Sequence, residues 1–352
     1  MKVKALVAHE ATQPLVSGNI TLRPLQKQDV NIEILYCGVC HSDLHMARNE
    51  WGVSRYPLVP GHEIVGRVVA TGSNVDRLRP GDIVGVGVMV DSCRECHFCQ
   101  QQEEQYCEAG FTATYNGIDK VTGESTWGGY AQNVIVDQHF VVKVPQNLPL
   151  AGVAPLLCAG VTVWSPLRHF NVKASDRVGV VGLGGLGHMA VKLASALGAE
   201  VTLFTTSPEK GADAKRLGAK RVVVSRDAAQ MAEVQSSLDI IIDCVAAPHD
   251  LNPLLATLKT NGRLVLVGIP DSPHLSPDIT PMVFRRLSIS GSSIGSIKET
   301  QEMLDFCGTH NITADIELIT GNEVEQAFSR MLKGDVRYRF VIDMQGTRWS
   351  AS

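Results

Sequence analysis

Two periods of hydrophobicity divide the chain. Between Val3 and about Val144, apolar positions recur in short alternating runs broken by turns, most clearly in Val30-Asn31-Ile32-Glu33-Ile34-Leu35-Tyr36. A period of two turns one face of each run toward a core, so this region is expected to be β-rich. Met1 to Glu10 opens the same way, and strands are expected at Ile64 to Ala70 and Ile83 to Val90, the latter preceded by the turn Arg79-Pro80-Gly81-Asp82. After Pro145 the pattern changes. Apolar strands at Arg177 to Val181, Val201 to Phe204, Ile240 to Asp243, Leu264 to Gly268 and Leu287 to Gly291 are separated by helical stretches. One of these carries Met189, Leu193 and Leu197 on a single face and closes at Gly198. Strands and helices in alternation predict a doubly wound parallel sheet. Near the C-terminus, Glu299 to Cys307 and Glu323 to Lys333 read as amphipathic helices stopped by Gly308 and Gly334, and Tyr338 to Asp343 as a strand that rejoins the first region.

Length fits this two-part reading. A chain of 352 residues exceeds what one hydrophobic core usually serves. Hydrophobic residues at 44%, charged residues at 19% and a net charge of -4 give no basic face for a polyanion, so neither nucleic acid nor an anionic membrane is expected as a partner. No apolar run has the length of a membrane span or the form of a signal peptide, and a cytoplasmic location is expected.

The chemistry-bearing residues cluster. Tyr36 to His45 packs Cys40, Ser42, Asp43 and two imidazoles, His41 and His45, into ten positions, a mixture that folding alone does not require. A thiolate there can ligate zinc, and Ser42 and His45 can move protons. His62 and Glu63 follow Pro60-Gly61 at the mouth of a strand. Farther on, Cys93, Cys96 and Cys99 are followed by Cys107. Four thiolates with two-residue gaps can enclose one zinc ion and leave no open position, which makes the second site structural. An iron–sulfur cluster also takes four thiolates. A DNA-binding finger would need paired histidines and a basic helix, which are missing. Cys37, Cys244 and Cys307 read as small buried hydrophobes.

Gly182-Leu183-Gly184-Gly185-Leu186-Gly187 joins the strand ending at Val181 to a helix, with a second strand following, as in a dinucleotide-binding βαβ unit. In that unit Gly182 makes the turn, Gly184 admits a pyrophosphate to backbone amides, and Gly187 lets helix and strand pack closely. The second strand ends in Thr205-Thr206-Ser207-Pro208-Glu209-Lys210 and lacks the acidic residue that would hold both ribose hydroxyls of NAD. Hydroxyl donors and a cation suit the 2′-phosphate of NADP instead.

Taken together, CGVCHSDLH (Cys37 to His45), PGHEIVG (Pro60 to Gly66), the four-cysteine lobe, PLLCAGVTVWSPL (Pro155 to Leu167), GLGGLGHMAVK (Gly182 to Lys192), GSIKETQEMLDFC (Gly295 to Cys307) and DVRYRFVID (Asp335 to Asp343) closely resemble the zinc-dependent medium-chain alcohol dehydrogenases. The resemblance spans nearly the whole chain and is nearest to the group of cinnamyl alcohol dehydrogenases and bacterial NADP-dependent aldehyde reductases. It implies an α/β protein: a GroES-like β-rich catalytic domain over 1–154, a Rossmann NADP-binding domain over 155–297, and a segment 298–352 completing the first domain. It also implies two zinc ions per chain, NADP(H), a small aldehyde or alcohol substrate, and a homodimer with edge strands near Leu287 to Ser293 paired across a two-fold axis.

Residue by residue, the resemblance implies that Cys40, His62 and Cys158 ligate the catalytic zinc, with Glu63 beside it. Cys158 stands in an apolar run that by itself reads as a core thiol. Asp43 would orient the His62 imidazole. Zinc would polarise the carbonyl, reduced nicotinamide would supply hydride, and Ser42 would pass the proton through the ribose hydroxyl to His45. His41 would face the pyrophosphate, or else is a solvated loop residue. Thr162, Cys244, Gly268, Ser292, Ser293 and Ile294 would line the cofactor, together with Thr205, Thr206, Ser207 and Lys210. Lignin-pathway members carry a Trp where this chain has Ala113, before Tyr115-Asn116, so a larger and less selective pocket is expected. Trp51 and Trp127 either line that pocket or belong to the core. A polyol or iminium reductase could share this frame, but the intact Ser42 and His45 favour carbonyl chemistry. A non-catalytic nucleotide-binding protein would have lost Cys40, His62 or Cys158, and none is lost.

Overall fold

A computed structural model describes residues 1–270 and 272–349. The chain divides into two compact units, one of residues Met1–Cys158 with Ser296–Ser352, the other of Ala159–Gly295.

The first unit is built on a seven-stranded sheet. The strand Asp29–Gly38 lies at its centre, flanked antiparallel by Ile64–Thr71 and by Arg339–Asp343, with Asn133–Asp137 also pairing along its first half. Val341 faces Gly38 and Ile342 faces Cys37, so the C-terminal strand is an integral part of the sheet. Val30, Ile32, Ile64, Val65, Val84, Phe140, Val341 and Ile342 are fully or almost fully buried between the layers. Each such aliphatic side chain contributes about 1.5–3 kcal/mol on leaving water. Lys2–Val7 and Val16–Thr21 form a separate antiparallel pair.

One expected strand is broken. Ile83–Val86 ends before Gly87, and Met89–Asp91 restarts to pair with Thr112–Ala113. A Cβ on Gly87 would lie 2.9 Å from the Leu157 carbonyl oxygen, so the chain turns there against the segment that carries Cys158.

The second unit is a six-stranded parallel sheet in the order Arg221–Val224, Glu200–Thr205, Arg177–Val181, Leu238–Asp243, Leu258–Leu266, Ser288–Gly291. Numbered along the chain this is 3-2-1-4-5-6, the Rossmann order. Phe204, Leu238, Ile241, Leu255 and Leu264 are buried at its core. The strand Arg221–Val224 escaped the sequence reading because four residues carry no measurable period.

A second difference lies in the first unit. Its long helix runs Ile297–His310 and ends at Asn311, whose φ of 54° is left-handed, so Gly308 does not stop it. A Cβ at Gly308 would lie 2.8 Å from the Pro145 side chain, and that close approach is what the glycine serves. The following helix, Val324–Leu332, does end before Gly334 with its φ of 66°.

Candidate active site

The strand Asp29–Gly38 leads into Cys40, which N-caps the helix His41–Ala47 in extended conformation. The Cys40 amide donates to Asp43 Oδ2 at 2.9 Å, so this turn is folded by its own carboxylate. Gly61, at φ 105°, bends the chain just before His62, Glu63 and the strand Ile64–Thr71. That backbone favours glycine. Cys158 follows the 3-10 turn Ala154–Leu157. In consequence one ligand atom from each of Cys40, His62, Glu63 and Cys158 lies within 4.8 Å of all the others. All four belong to the first unit. The sequence placed Cys158 at the start of the nucleotide domain, whereas its turn is seated on the first unit's sheet, with Leu157 filling the space beside Gly85 and Gly87.

The electrostatics of this cluster are those of a cation site. Cys40 is held well below the usual thiol range, first by its hydrogen bond with Cys158 and then by Arg339 and His62, and against its burial. Cys158 is pushed up correspondingly by Cys40 and by burial. Burial also raises Glu63, to about 7, with the Arg339 guanidinium opposing it. Glu63 Oε2 is buried with no hydrogen-bond partner among the described residues. Two thiols and an imidazole form a donor set that fits a zinc ion with its fourth position open, and the orphaned Glu63 oxygen stands beside that position.

Asp43 is fully buried and accepts from the amides of Cys40 and Gly61 and from the Tyr130 hydroxyl. His62 Nδ1 lies 3.2 Å from its Oδ1, which directs Nε2 toward the thiols. The Tyr115 ring stacks on His62 at 5.8 Å between centroids. Ser42 Oγ is 3.7 Å from Cys40 Sγ. His45 Nδ1 pairs with Glu50, and its ring lies 5.1 Å from Trp51. His41 is exposed.

Sequence reasoning missed Arg339, Glu50 and Tyr130. Arg339 alone left a signal, as a guanidinium opening a strand whose next three residues, Phe340 to Ile342, are apolar and buried. Trp51 is 46% exposed, so it is not core. Trp127 lines a cavity of about 620 Å³ that contains none of the residues above and whose charges, among them Arg23, Asp29, Asp119 and Lys120, are largely paired within the protein.

Cys93, Cys96, Cys99 and Cys107 also place their sulfurs within 4.8 Å of one another. The amides of Cys96 and Glu95 donate to Cys93 Sγ at 3.3 and 3.5 Å and lower that thiol to about 6. This lobe is moored by Lys120 donating to the Ser92 carbonyl at 2.7 Å and by Arg94 against Asp137 at 2.9 Å. With its sulfurs converging and no other donor in the set, the lobe fits a closed zinc site.

In the second unit, Gly182 turns at φ 84°, and Gly184 caps the helix Gly185–Ala196. A Cβ on Gly187 would collide with the Gly182 carbonyl oxygen, whereas one on Gly184 would meet nothing within 4 Å. Gly187 therefore serves close packing, and Gly184 leaves the helix N-terminus open. Thr205 is buried at the strand end, with its hydroxyl accepting from the Ser207 amide at 3.0 Å. Lys210 Nζ donates to the Leu183 carbonyl at 3.1 Å, which brings the ammonium to the glycine-rich turn. Cys244, Gly268 and Ser292 each donate a backbone N–H to a strand end: Cys244 to Val181, Gly268 to Asp243, Ser292 to Leu266. They thus gather at the C-terminal edge of the sheet. Ser293 follows Ser292, Ile294 stands at φ 37°, and Thr162 is buried in the helix Ala159–His169. Thr206 is exposed.

Comparison with known proteins decides what this arrangement belongs to. Residues 26–146 match the family described as alcohol dehydrogenase GroES-like domain, and residues 185–309 match the zinc-binding dehydrogenase family. An aldehyde reductase of Escherichia coli, YahK, is 53% identical over 97% of this chain and 98% of its own. The chain is a zinc-dependent medium-chain alcohol dehydrogenase. Among solved members of this family, a cinnamyl alcohol dehydrogenase from Sorghum bicolor superposes with a TM-score of 0.96 at 46% identity, covering 100% of both chains. A Helicobacter pylori cinnamyl alcohol dehydrogenase, solved with NADP(H), superposes with a TM-score of 0.92 at 38% identity over 99% of each. As a member of this family the protein is an enzyme, an alcohol–aldehyde oxidoreductase.

Proposed function

We propose that this dehydrogenase works mainly as an NADPH-dependent reductase of aromatic and aliphatic aldehydes, at a zinc ion held by Cys40, His62 and Cys158 with Glu63 beside it. The convergence of those four side chains within 4.8 Å carries the reading. A second, structural zinc belongs in the lobe of Cys93, Cys96, Cys99 and Cys107. Bound zinc supplies an electrophile for the carbonyl oxygen, and bound NADPH supplies the hydride.

The chain's own residues do the rest. Asp43 holds the His62 ring so that Nε2 faces the thiols. Arg339 offsets the negative charge of Glu63 in a buried place. Ser42, the second residue of the helix that Cys40 caps, holds or gives the proton on the substrate oxygen, and His45 exchanges it with water. Glu50 keeps the His45 ring from turning away. Lys210, at the glycine-rich turn, and the hydroxyls of Thr205, Thr206 and Ser207 hold the 2′-phosphate. His41, Thr162, Cys244, Gly268, Ser292, Ser293 and Ile294 make the remaining cofactor contacts. Ala113, lacking a ring, keeps the substrate pocket broad. In this reading Met1–Cys158 and the segment from Ser296 onward are the catalytic domain and Ala159–Gly295 the NADP domain.

The assembly is a homodimer. Ser288–Gly291 is an edge strand with a neighbour on one side only among the described residues, and Ile279, Val283 and Phe284 of the adjoining helix are 58%, 71% and 83% exposed. An apolar patch beside an open strand edge calls for a second copy. Among the described residues no single helix is long and apolar enough to cross a membrane. Two thiol clusters that fit metal ions need reduced cysteines, which suits the reducing cytoplasm.

Initial rates over a panel of aldehydes and alcohols with NADPH, NADH and NADP⁺, beside a zinc count per chain, test this. The reading expects two zinc ions and fastest turnover with aldehydes and NADPH. One zinc ion, or a preference for polyols with NAD⁺, overturns it.

A further inference from the structure

Asp43 receives more than its task of orienting His62 requires. Oδ1 accepts the Gly61 amide at 3.1 Å and faces His62 Nδ1 at 3.2 Å, and Oδ2 accepts the Cys40 amide at 2.9 Å and the Tyr130 hydroxyl at 3.1 Å. Tyr130 and Asp43 are both fully buried, so that hydroxyl is out of reach of bulk water. The Tyr130 ring is itself fixed. Its amide donates to the Pro60 carbonyl at 3.0 Å, and it fills the space where a Cβ on Gly61 would come within 2.6 Å of Cδ1. Gly61 therefore serves twice, donating its amide to the carboxylate and admitting the phenol behind it.

We propose that Tyr130 is a positioning residue that weakens the pull of Asp43 on His62 and so keeps the metal bound there strongly electrophilic. This rests on the assignment of Cys40, His62 and Cys158 as zinc ligands. A hydrogen bond to an ionised carboxylate is among the stronger ones, and the charge it draws from Oδ2 is charge that Oδ1 no longer offers to the His62 N–H. With less pull on Nδ1–H, the imidazole donates less to a metal at Nε2, and the metal attracts a carbonyl oxygen more strongly. The arrangement exchanges some metal affinity for Lewis acidity.

The sign of the effect separates this from a merely structural role. A Tyr130 that only braced the fold would, on losing its hydroxyl, loosen His62 and let metal escape faster. The inference requires the reverse. In the intact enzyme, Tyr130→Phe is expected to release zinc from the site of Cys40, His62 and Cys158 to a chelator about threefold more slowly. That is well short of the roughly 10- to 100-fold consequence of losing a group that touches a ligand directly. It should also shift the visible bands of the Co²⁺-substituted site, and lower kcat for aldehyde reduction while leaving KM for NADPH unchanged. Release as fast as or faster than in the unaltered enzyme, or unmoved cobalt bands, overturns the inference. Should Tyr130→Phe fail to fold, a ring-fluorinated tyrosine placed at position 130, which keeps the hydroxyl and makes it a stronger donor to Asp43 Oδ2, answers the same question with the opposite sign. Faster zinc release than in the unaltered enzyme supports the inference and no change overturns it. The unaltered enzyme serves as the separate check on the ligand assignment. If Cys40→Ala removes none of the sulfur-to-cobalt charge-transfer bands that the unaltered enzyme shows, the ligands themselves are wrongly assigned.

Discussion

Arg339 and Glu63 form an ion pair that is buried on both sides, the side chains being 6% and 0% exposed. Gly38 leaves the room that the Glu63 carboxylate occupies, because a Cβ there would overlap Oε2. A pair so placed costs much in lost hydration, and its presence beside two thiols and an imidazole points to a role in charge balance at the site.

Removing one partner should therefore be worse than removing both. Arg339→Met is expected to destabilise the first unit by about 3–5 kcal/mol, because it strands a buried carboxylate, and Glu63→Gln in the same chain should restore much of that. Urea denaturation of the two single variants and the double variant measures the coupling. Additive losses would mean that the two groups do not share one electrostatic site.

Cofactor choice is expected to rest on Lys210. Its ammonium sits at the Leu183 carbonyl, where a 2′-phosphate would replace a backbone partner with a dianion. Lys210→Ala should raise KM for NADPH about tenfold or more and leave KM for NADH nearly unchanged, a loss of one charge-assisted contact. An equal rise with both cofactors would contradict the account of selectivity.

Glu323 offers a pH test away from the thiols. Its carboxylate accepts the Thr320 amide at 2.7 Å and the Thr320 hydroxyl at 2.9 Å, and these bonds, the amide first, hold it below the usual glutamate range. A group whose folded value is depressed gives stability above its unfolded value, and that stability is lost as pH falls through the folded one. The stability gap between the unaltered enzyme and Glu323→Gln should thus be constant near neutrality and close as pH drops below about 4. Paired denaturation curves at each pH read the gap. A gap that widens on acidification would show the sign to be wrong.

Phe284, at 83% exposure, is expected to lie in the proposed contact between two copies of this chain. Phe284→Glu should shift the sedimentation mass from two chains toward one, since a charge at the centre of an apolar contact has no partner. A mass unchanged by the substitution would place the interface elsewhere.

What the sequence disclosed and what it hid follow from distance along the chain. The cysteines of the lobe declare themselves because two-residue gaps have few other uses, and the glycine-rich turn because its strand and helix flank it. Cys158 became visible only through family resemblance, since a thiol in an apolar run looks like core. Arg339 and Glu63 are 276 positions apart, and Tyr130 and Asp43 are 87 apart; nothing local announces either pairing. Gly308 misled because a glycine in a helix was read as a stop, when it was the Pro145 side chain that needed the space.

The most direct measurement is a chelator titration that follows zinc per chain, NADPH-dependent aldehyde reduction and secondary structure in the same sample, alongside Cys40→Ala and Cys93→Ala. The account predicts that turnover falls in step with loss of the ion at Cys40, His62 and Cys158 while the fold persists. Cys40→Ala should be folded but inactive, and Cys93→Ala chiefly less stable. Full turnover with that cluster empty of metal would contradict it.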